Sequence, residues 1–266
     1  MNFDNFNITI NTQALTLECV RVPQDEETFG VPIARLDLFE VRDQTVAIRD
    51  YKLFSDWCDN IRIMLCSIRI AQSRIKESIF LEDRGFRFIE LNYVPYFDDL
   101  QLAKVSTTEI DILPVTSDDQ EHLTALARRS IQIGRFHQDP RVNGASSGRR
   151  YSQWVRRAFE NPNQRVLKCV RAGDIVGFFV VETPEPGGRF WSLIGFDPEF
   201  AGRGLGYSTW TAMLRYHQLE GVQKITTSIS SHNVAVMNLY VKLGFRFSEP
   251  QITLHWHPVG SKVLGQ

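Results

Sequence analysis

Ile194-Gly-Phe-Asp-Pro-Glu-Phe-Ala-Gly-Arg-Gly-Leu-Gly206 is the stretch that decides the fold. It follows an apolar, strand-like run and precedes an amphipathic one, so it joins a strand to a helix expected over residues 204–220. Gly202, Gly204 and Gly206 permit a tight turn and keep side chains from standing between the backbone and a ligand. The N–H groups of residues 203–206 open that helix without partners inside it, and such groups attract a phosphate or pyrophosphate. Arg203 adds charge. A structural glycine turn has the same local signature. The spacing is not that of a dinucleotide-binding fingerprint, and no Gly-Lys-Ser/Thr follows.

Working outward, residues 108–266 read as one α/β block. Ser117-Asp-Asp-Gln120 has the form of a capping box before a helix with Leu123, Leu126, Ala127 and Ile131 on one face. Ser147-Gly-Arg-Arg opens a second helix, with Tyr151, Trp154, Val155, Ala158 and Phe159 at helical spacing. Residues 166–170 and 175–182 flank Ala172-Gly173-Asp174 and read as a β-hairpin. Strands follow at 190–196 and 225–230. The helix over 233–243 stops at Gly244, and 246–257 is the last strand. Residues 15–94 form an earlier α/β block, and the weakly patterned segment 95–108 separates the two. The expected domains are 1–107 and 108–266. Leu81-Glu-Asp-Arg-Gly-Phe-Arg-Phe-Ile-Glu90 parallels Tyr240-Val-Lys-Leu-Gly-Phe-Arg-Phe-Ser-Glu249, with Gly85 and Gly244 lying 159 positions apart. This echo fits either a common helix stop or a first domain that is a degenerate half-copy of the second.

Composition bounds the rest. A chain of 266 residues with 43% hydrophobic and 23% charged residues is an ordinary globular protein of about two domains. Its 30 basic and 31 acidic residues give a net charge of −1, which advertises neither nucleic acid nor an anionic membrane as a partner. Cys19, Cys58, Cys66 and Cys169 lack metal or disulfide spacing. No basic, apolar leader and no membrane-length run is present, so a soluble cytoplasmic protein is expected. His255 and His257 share a strand face, but no third residue at ligand spacing supports a metal.

The glycine-rich segment, the helix and strand after it, and Asn233-Val-Ala-Val-Met-Asn-Leu-Tyr240-Val-Lys-Leu-Gly244-Phe245 together resemble the GCN5-related N-acetyltransferase (GNAT) superfamily from about residue 112 to the C-terminus. Ala201 departs from the Gln or Arg usual there. Gly134-Arg135-Phe136, Ser147-Gly-Arg-Arg-Tyr151-Ser-Gln153-Trp154 and Thr28-Phe29-Gly30 with Pro32, Ala34, Arg35 and Leu36 are similar to the dTDP-fucosamine acetyltransferase type of sugar-nucleotide N-acyltransferase, in which a smaller α/β domain comes first. The resemblance implies a mixed, splayed central sheet flanked by helices. It implies acyl-CoA as co-substrate, held by Gly195, Phe196, Gly202, Arg203, Gly204, Leu205, Gly206 and Asn233. It implies a nucleotide-linked amino sugar as acceptor, near Phe136, His137 and Arg149, in surface polysaccharide (lipopolysaccharide O-antigen) synthesis. A homodimer is left open.

Tyr240 lies on an apolar helix stripe with Leu239 and Leu243 and by itself reads as packing. With the resemblance it becomes the donor that protonates the leaving thiolate. No general base is evident among His137, His232 and Glu182, and water serves as well. Asn233 fits a plain N-cap or a contact to the pantetheine arm. Ser147, Gly148, Arg149 and Arg150, at a helix start, fit a diphosphate site or a solvated basic turn. Two other readings stay open: a GNAT enzyme acting on a protein or small amine, and an inactive CoA-binding module.

Overall fold

The computed structural model describes residues 2–3 and 6–265. In chain order the elements are β1 (Asn2–Phe3), β2 (Asn7–Asn11), β3 (Leu15–Arg21), α1 (Pro23–Phe29), β4 (Ile33–Val41), α2 (Gln44–Asn60), β5 (Leu65–Ala71), α3 (Ile75–Glu82), β6 (Arg87–Tyr93), β7 (Pro95–Phe97), β8 (Asp111–Pro114), α4 (Gln120–Ser130), α5 (Arg135–Gln138), α6 (Gly144–Glu160), β9 (Gln164–Arg171), β10 (Asp174–Glu182), β11 (Gly188–Phe196), α7 (Leu205–Leu219), β12 (Lys224–Thr227), β13 (Ile229–Ser230), α8 (Val234–Leu243), β14 (Arg246–Phe247) and β15 (Gln251–Trp256). The expected α/β class holds, with mixed sheets. No helix among the described residues is long and apolar enough to cross a membrane.

The chain forms two compact units. One holds the residues up to Asn92, Arg135–Ser146 and the chain from Glu249 on; the other holds Tyr93–Gly134 and Ser147–Ser248. Against a boundary expected at 107 and 108, residues 93–107 group with the second unit and the C-terminal segment with the first. The cause is strand pairing. In the first unit β15 lies between β5 and β6, antiparallel to both, in the order β1-β2-β3-β4-β5-β15-β6. The second unit runs β14-β7-β12-β11-β10-β9-β8.

The two sheets match strand for strand. Gly85 and Gly244 have φ of 92° and 89°. The Phe86 N–H donates to the Leu81 carbonyl at 3.1 Å, and the Phe245 N–H to the Tyr240 carbonyl at 3.0 Å. The sequence echo is thus a repeated helix stop with an αL glycine and a buried phenylalanine. Phe97 pairs with Ile225 and Trp256 with Cys66, so strands 159 residues apart along the chain hold equivalent places in opposite units. Among the described residues, one part of the second unit has no counterpart in the first. Residues 115–163 connect β8 to β9 and carry a helical pair, whereas β1 ends at Phe3 and β2 begins at Asn7.

In the second unit β10 is an interior strand, between β11 and β9. Val176, Phe179 and Val181 face Trp191, Trp210 and Met213, while Phe178 and Val180 face Leu123, Leu126 and Val155. Burial on both faces explains its unbroken apolar run. The hairpin before it turns at Ala172 and Gly173, with φ of 50° and 93°. In the first unit Phe39, Tyr51, Phe54, Trp57 and Phe80 build an aromatic core. Thr28 and Phe29 end α1, with Gly30 as its αL cap just before β4.

Candidate functional site

β11 and β12 run parallel for four rungs, from Gly188 opposite Lys224 to Trp191 opposite Thr227, and then part. The Thr227 hydroxyl donates to the Trp191 carbonyl at 2.9 Å and clamps the last rung. Ser192 is a bulge against β10, where Val180 faces Leu193 and Val181 faces Trp191. Bulges re-aim a strand, and this one sits where β11 leaves β12. The Asp197 N–H donates to the Val176 carbonyl at 2.9 Å. By strand alternation Gly195 also turns its polar groups toward β10, while Ile194 and Phe196 turn theirs into the opening beside β12. This corrects the expectation for Gly195. Its polar groups face β10, and a Cβ there would stand 2.2 Å from the Phe178 ring, so its glycine serves packing.

The strand end leads into the glycine loop. Asp197 is buried, accepts from the Glu199 N–H at 3.1 Å and is ion-paired with Arg129. Gly202 and Gly204 have φ of 75° and 76°, and nothing lies within 4 Å of a Cβ at either. Gly204 is the N-cap of α7, so the helix starts one residue later than expected and no side chain caps it. The first-turn N–H groups therefore have no capping side chain, as an anion cradle requires. Arg203 lies over the Phe200 ring at 5.4 Å. Leu205 is buried and anchors the turn. A Cβ at Gly206 would be in ordinary contact with Leu239 at 3.7 Å, which sets how closely α7 approaches α8.

Tyr240 is 1% exposed, with its ring between Trp210 and Phe245 at 6.5 and 4.8 Å. Its hydroxyl interacts with Trp210 and with Thr227, the residue of the last closed rung. Burial pushes its pKa up to about 12, against a partial pull the other way from those two neighbours. The phenol is therefore fully protonated at neutral pH. The Asn233 side chain accepts from the Val236 N–H at 3.3 Å, which is the N-cap role.

The acceptor-side residues fare differently. Phe136 is 1% exposed and packs on Phe29 and His255 with centroids at 5.1 and 5.5 Å. It is a core residue of the first unit, which removes its expected role in stacking on a substrate. His137 follows it in α5, half-buried, and burial lowers its pKa. Arg149 belongs to the second unit. The helix around it starts at Gly144, where the Asn143 side chain accepts from the Ala145 N–H at 2.8 Å. Ser147, Gly148, Arg149 and Arg150 thus lie within the helix, and the expected diphosphate site at a helix start there is withdrawn. Arg149 instead lines a groove of about 970 Å³ between α4 and α6 with Arg128, Arg129, Arg156, Gln153 and Glu121. Sequence reading missed this groove, although the arginines at i, i+1 of α4 and i, i+7 of α6 were its visible trace.

Asp139 supplies the third group that sequence spacing did not give to His255 and His257. The Asp139 carboxylate accepts from His255 Nδ1 and His257 Nε2, each at 2.9 Å, and from Arg141 Nε at 2.9 Å. All three of these acidic and imidazole side chains are buried. A cation at their centre would have to displace both histidine hydrogen bonds beside the Arg141 guanidinium, so the cluster reads as a hydrogen-bonded hub. It ties residues 139–141 to β15 in the first unit.

These burials make stability sensitive to acid. Burial lowers the pKa of His255 in the first unit and His217 in the second to about 4. Each is neutral when folded, whereas the unfolded chain takes up the proton near pH 6.5. The stabilisation is complete above pH 6.5 and drains away as pH falls toward 4, by on the order of 3 kcal/mol per histidine. Melting temperatures between pH 7 and 4 should fall steeply in the wild type and less steeply in His255→Asn or His217→Gln. An unchanged slope in both variants would place the acid sensitivity elsewhere.

Residues 133–245 match the Acetyltransferase (GNAT) family. The chain is 22% identical over 148 residues to the spore coat polysaccharide biosynthesis protein SpsD of Bacillus subtilis, covering 54% of this chain and 50% of that protein. It is 33% identical over 88 residues to mycothiol acetyltransferase of Amycolatopsis mediterranei, covering 30% and 29%. These matches span half or less of the curated relatives' length. A solved tandem GNAT protein from the clavulanic acid biosynthesis pathway superposes with a TM-score of 0.60 at 15% identity, covering 96% of this chain and 83% of that one. The chain thus has the fold of a tandem GNAT arrangement, and the segment that matches the GNAT acetyltransferase family, residues 133–245, lies in its C-terminal half.

Proposed function

We propose that this chain is an N-acyltransferase that moves a short acyl group from acyl-CoA to the amine of a nucleotide-linked amino sugar. The observation that carries this reading is the opening between β11 and β12, with unpaired backbone at Ile194 and Phe196, an uncapped helix behind Gly204 and the Tyr240 phenol at the last closed rung. Acyl-CoA, when bound, supplies the acyl group as a thioester. The first turn of α7, with Arg203, Leu205 and Gly206, holds its pyrophosphate. Backbone groups of Ile194 and Phe196 pair with the pantetheine amides as an added strand would. A backbone N–H there also faces the oxygen that becomes negative as the amine attacks. Tyr240 gives its proton to the departing thiolate, and the amine proton passes to water.

The acceptor class is supported by the SpsD likeness and by the α4–α6 groove, whose arginines suit a diphosphate. The mycothiol acetyltransferase likeness favours a second reading, a smaller amine acceptor. Thiol release should be measured with dTDP- and UDP-amino sugars and with simple amino sugars, each against several acyl-CoAs. Turnover on a nucleotide sugar at least about 100-fold above the simple amines is expected. Equal rates on both would move the assignment to the second reading, and no release with any amine would sink the enzyme assignment.

A further inference from the structure

We infer that the first unit is a second GNAT cofactor site sealed by its own carboxylates, so that the chain binds one acyl-CoA. The inference rests on the acyl-CoA reading of the second unit. β4 and β5 pair in parallel from Ile33 opposite Leu65 to Leu36 opposite Ile68, four rungs before they part. The same four rungs join β11 to β12. Asp37 is skipped in the register between β3 and β4 as Ser192 is between β10 and β11, each four residues into its strand. The opening that serves a ligand in the second unit is therefore built into the first.

One of its donors is taken. The Arg42 N–H donates to the Ala14 carbonyl at 2.8 Å, so alternation turns the Val41 N–H into the opening, in the place of Phe196. Glu77 Oε1, from α3, stands 3.5 Å from that N–H and also accepts from Arg74 at 2.9 Å. The helix start is closed as well. Asp43 Oδ1 accepts from the Thr45 and Val46 N–H groups at 2.9 and 3.2 Å, where Gly204 leaves the corresponding groups of α7 open. Two residues, Arg42 and Asp43, separate β4 from α2, while eight separate β11 from α7, so the glycine loop is missing too. A pyrophosphate approaching α2 would meet a carboxylate already seated on its donors, and like charge repels it.

Native mass spectrometry of the whole chain with CoA, together with melting of the apo protein, tests this. One CoA is expected on the wild type and none on Gly204→Asp. Asp43→Ala should still bind one CoA and should melt about 2–4 °C lower, because it loses a working cap. A second CoA on the wild type, or one retained by Gly204→Asp, would overturn the seal. So would an unchanged melting temperature in Asp43→Ala. A wild type that binds no CoA would instead sink the proposed function, and the melting comparison would still decide whether Asp43 is a cap.

Discussion

Tyr240→Phe should lower kcat by about 10²–10⁴-fold and leave KM for acyl-CoA nearly unchanged, because a general acid acts only as the thiolate departs. The substitution removes one hydroxyl and keeps the ring against Trp210 and Phe245. With the pKa raised to about 12, the wild-type phenol holds its proton across the working range, and no loss of activity from its ionisation should appear between pH 7 and 9. The sign for stability follows from the same shift. The neutral phenol is favoured in the fold below about pH 10, and that contribution is lost as pH rises toward 12. A hydroxyl that only packed would give a different result. The variant would lose about 0.5–1.5 kcal/mol of stability with its turnover intact. Steady-state kinetics beside a melting curve separates the two, and wild-type kcat in a folded Tyr240→Phe would assign the proton to water.

Gly204→Asp is expected to weaken CoA binding by about 100-fold or more while leaving the protein folded. Nothing stands within 4 Å of a Cβ at this position, so the side chain fits, and the cost is that of an L-residue at a φ of 76°. The carboxylate would stand beside the first turn of α7, although the αL backbone of Gly204 does not reproduce the extended one from which Asp43 caps α2. Its negative charge there would repel the pyrophosphate. Gly204→Ala keeps the backbone cost without the charge and should weaken binding far less. Calorimetry on the two variants reads the difference. Unchanged affinity in a folded Gly204→Asp would remove the cradle.

The parts of this arrangement legible in the sequence are the local ones. Glycines at positive φ, a capping residue, an apolar helix stripe and the hairpin at Ala172 and Gly173 are set by neighbours a few residues away. The loop, the helix of Tyr240 and the echo at Gly85 and Gly244 were readable for that reason. What was not readable depends on distant partners. Phe136 looks like any loop aromatic until Phe29 and His255 close around it. Asp139 lies 116 residues from His255, and no spacing rule connects them. Gly195 falls within a motif that points to a ligand, yet its need for glycine comes from Phe178 across the sheet. The start of α6 was misplaced by three residues because Asn143 caps it from beyond the apparent motif.

The seat of β15 between β5 and β6 has a consequence for synthesis on the ribosome. The second unit has every strand of its sheet once Phe247 has emerged. The first unit, although begun earlier in the chain, must wait for Gln251–Trp256, which follow every strand of the second. Chains usually fold domain by domain from the N-terminus. Here the C-terminal unit can close first, while β5 and β6 stay without the strand between them and present unpaired edges to other nascent chains. A message stalled between Phe247 and Gln251 would release a finished second unit attached to an open first one.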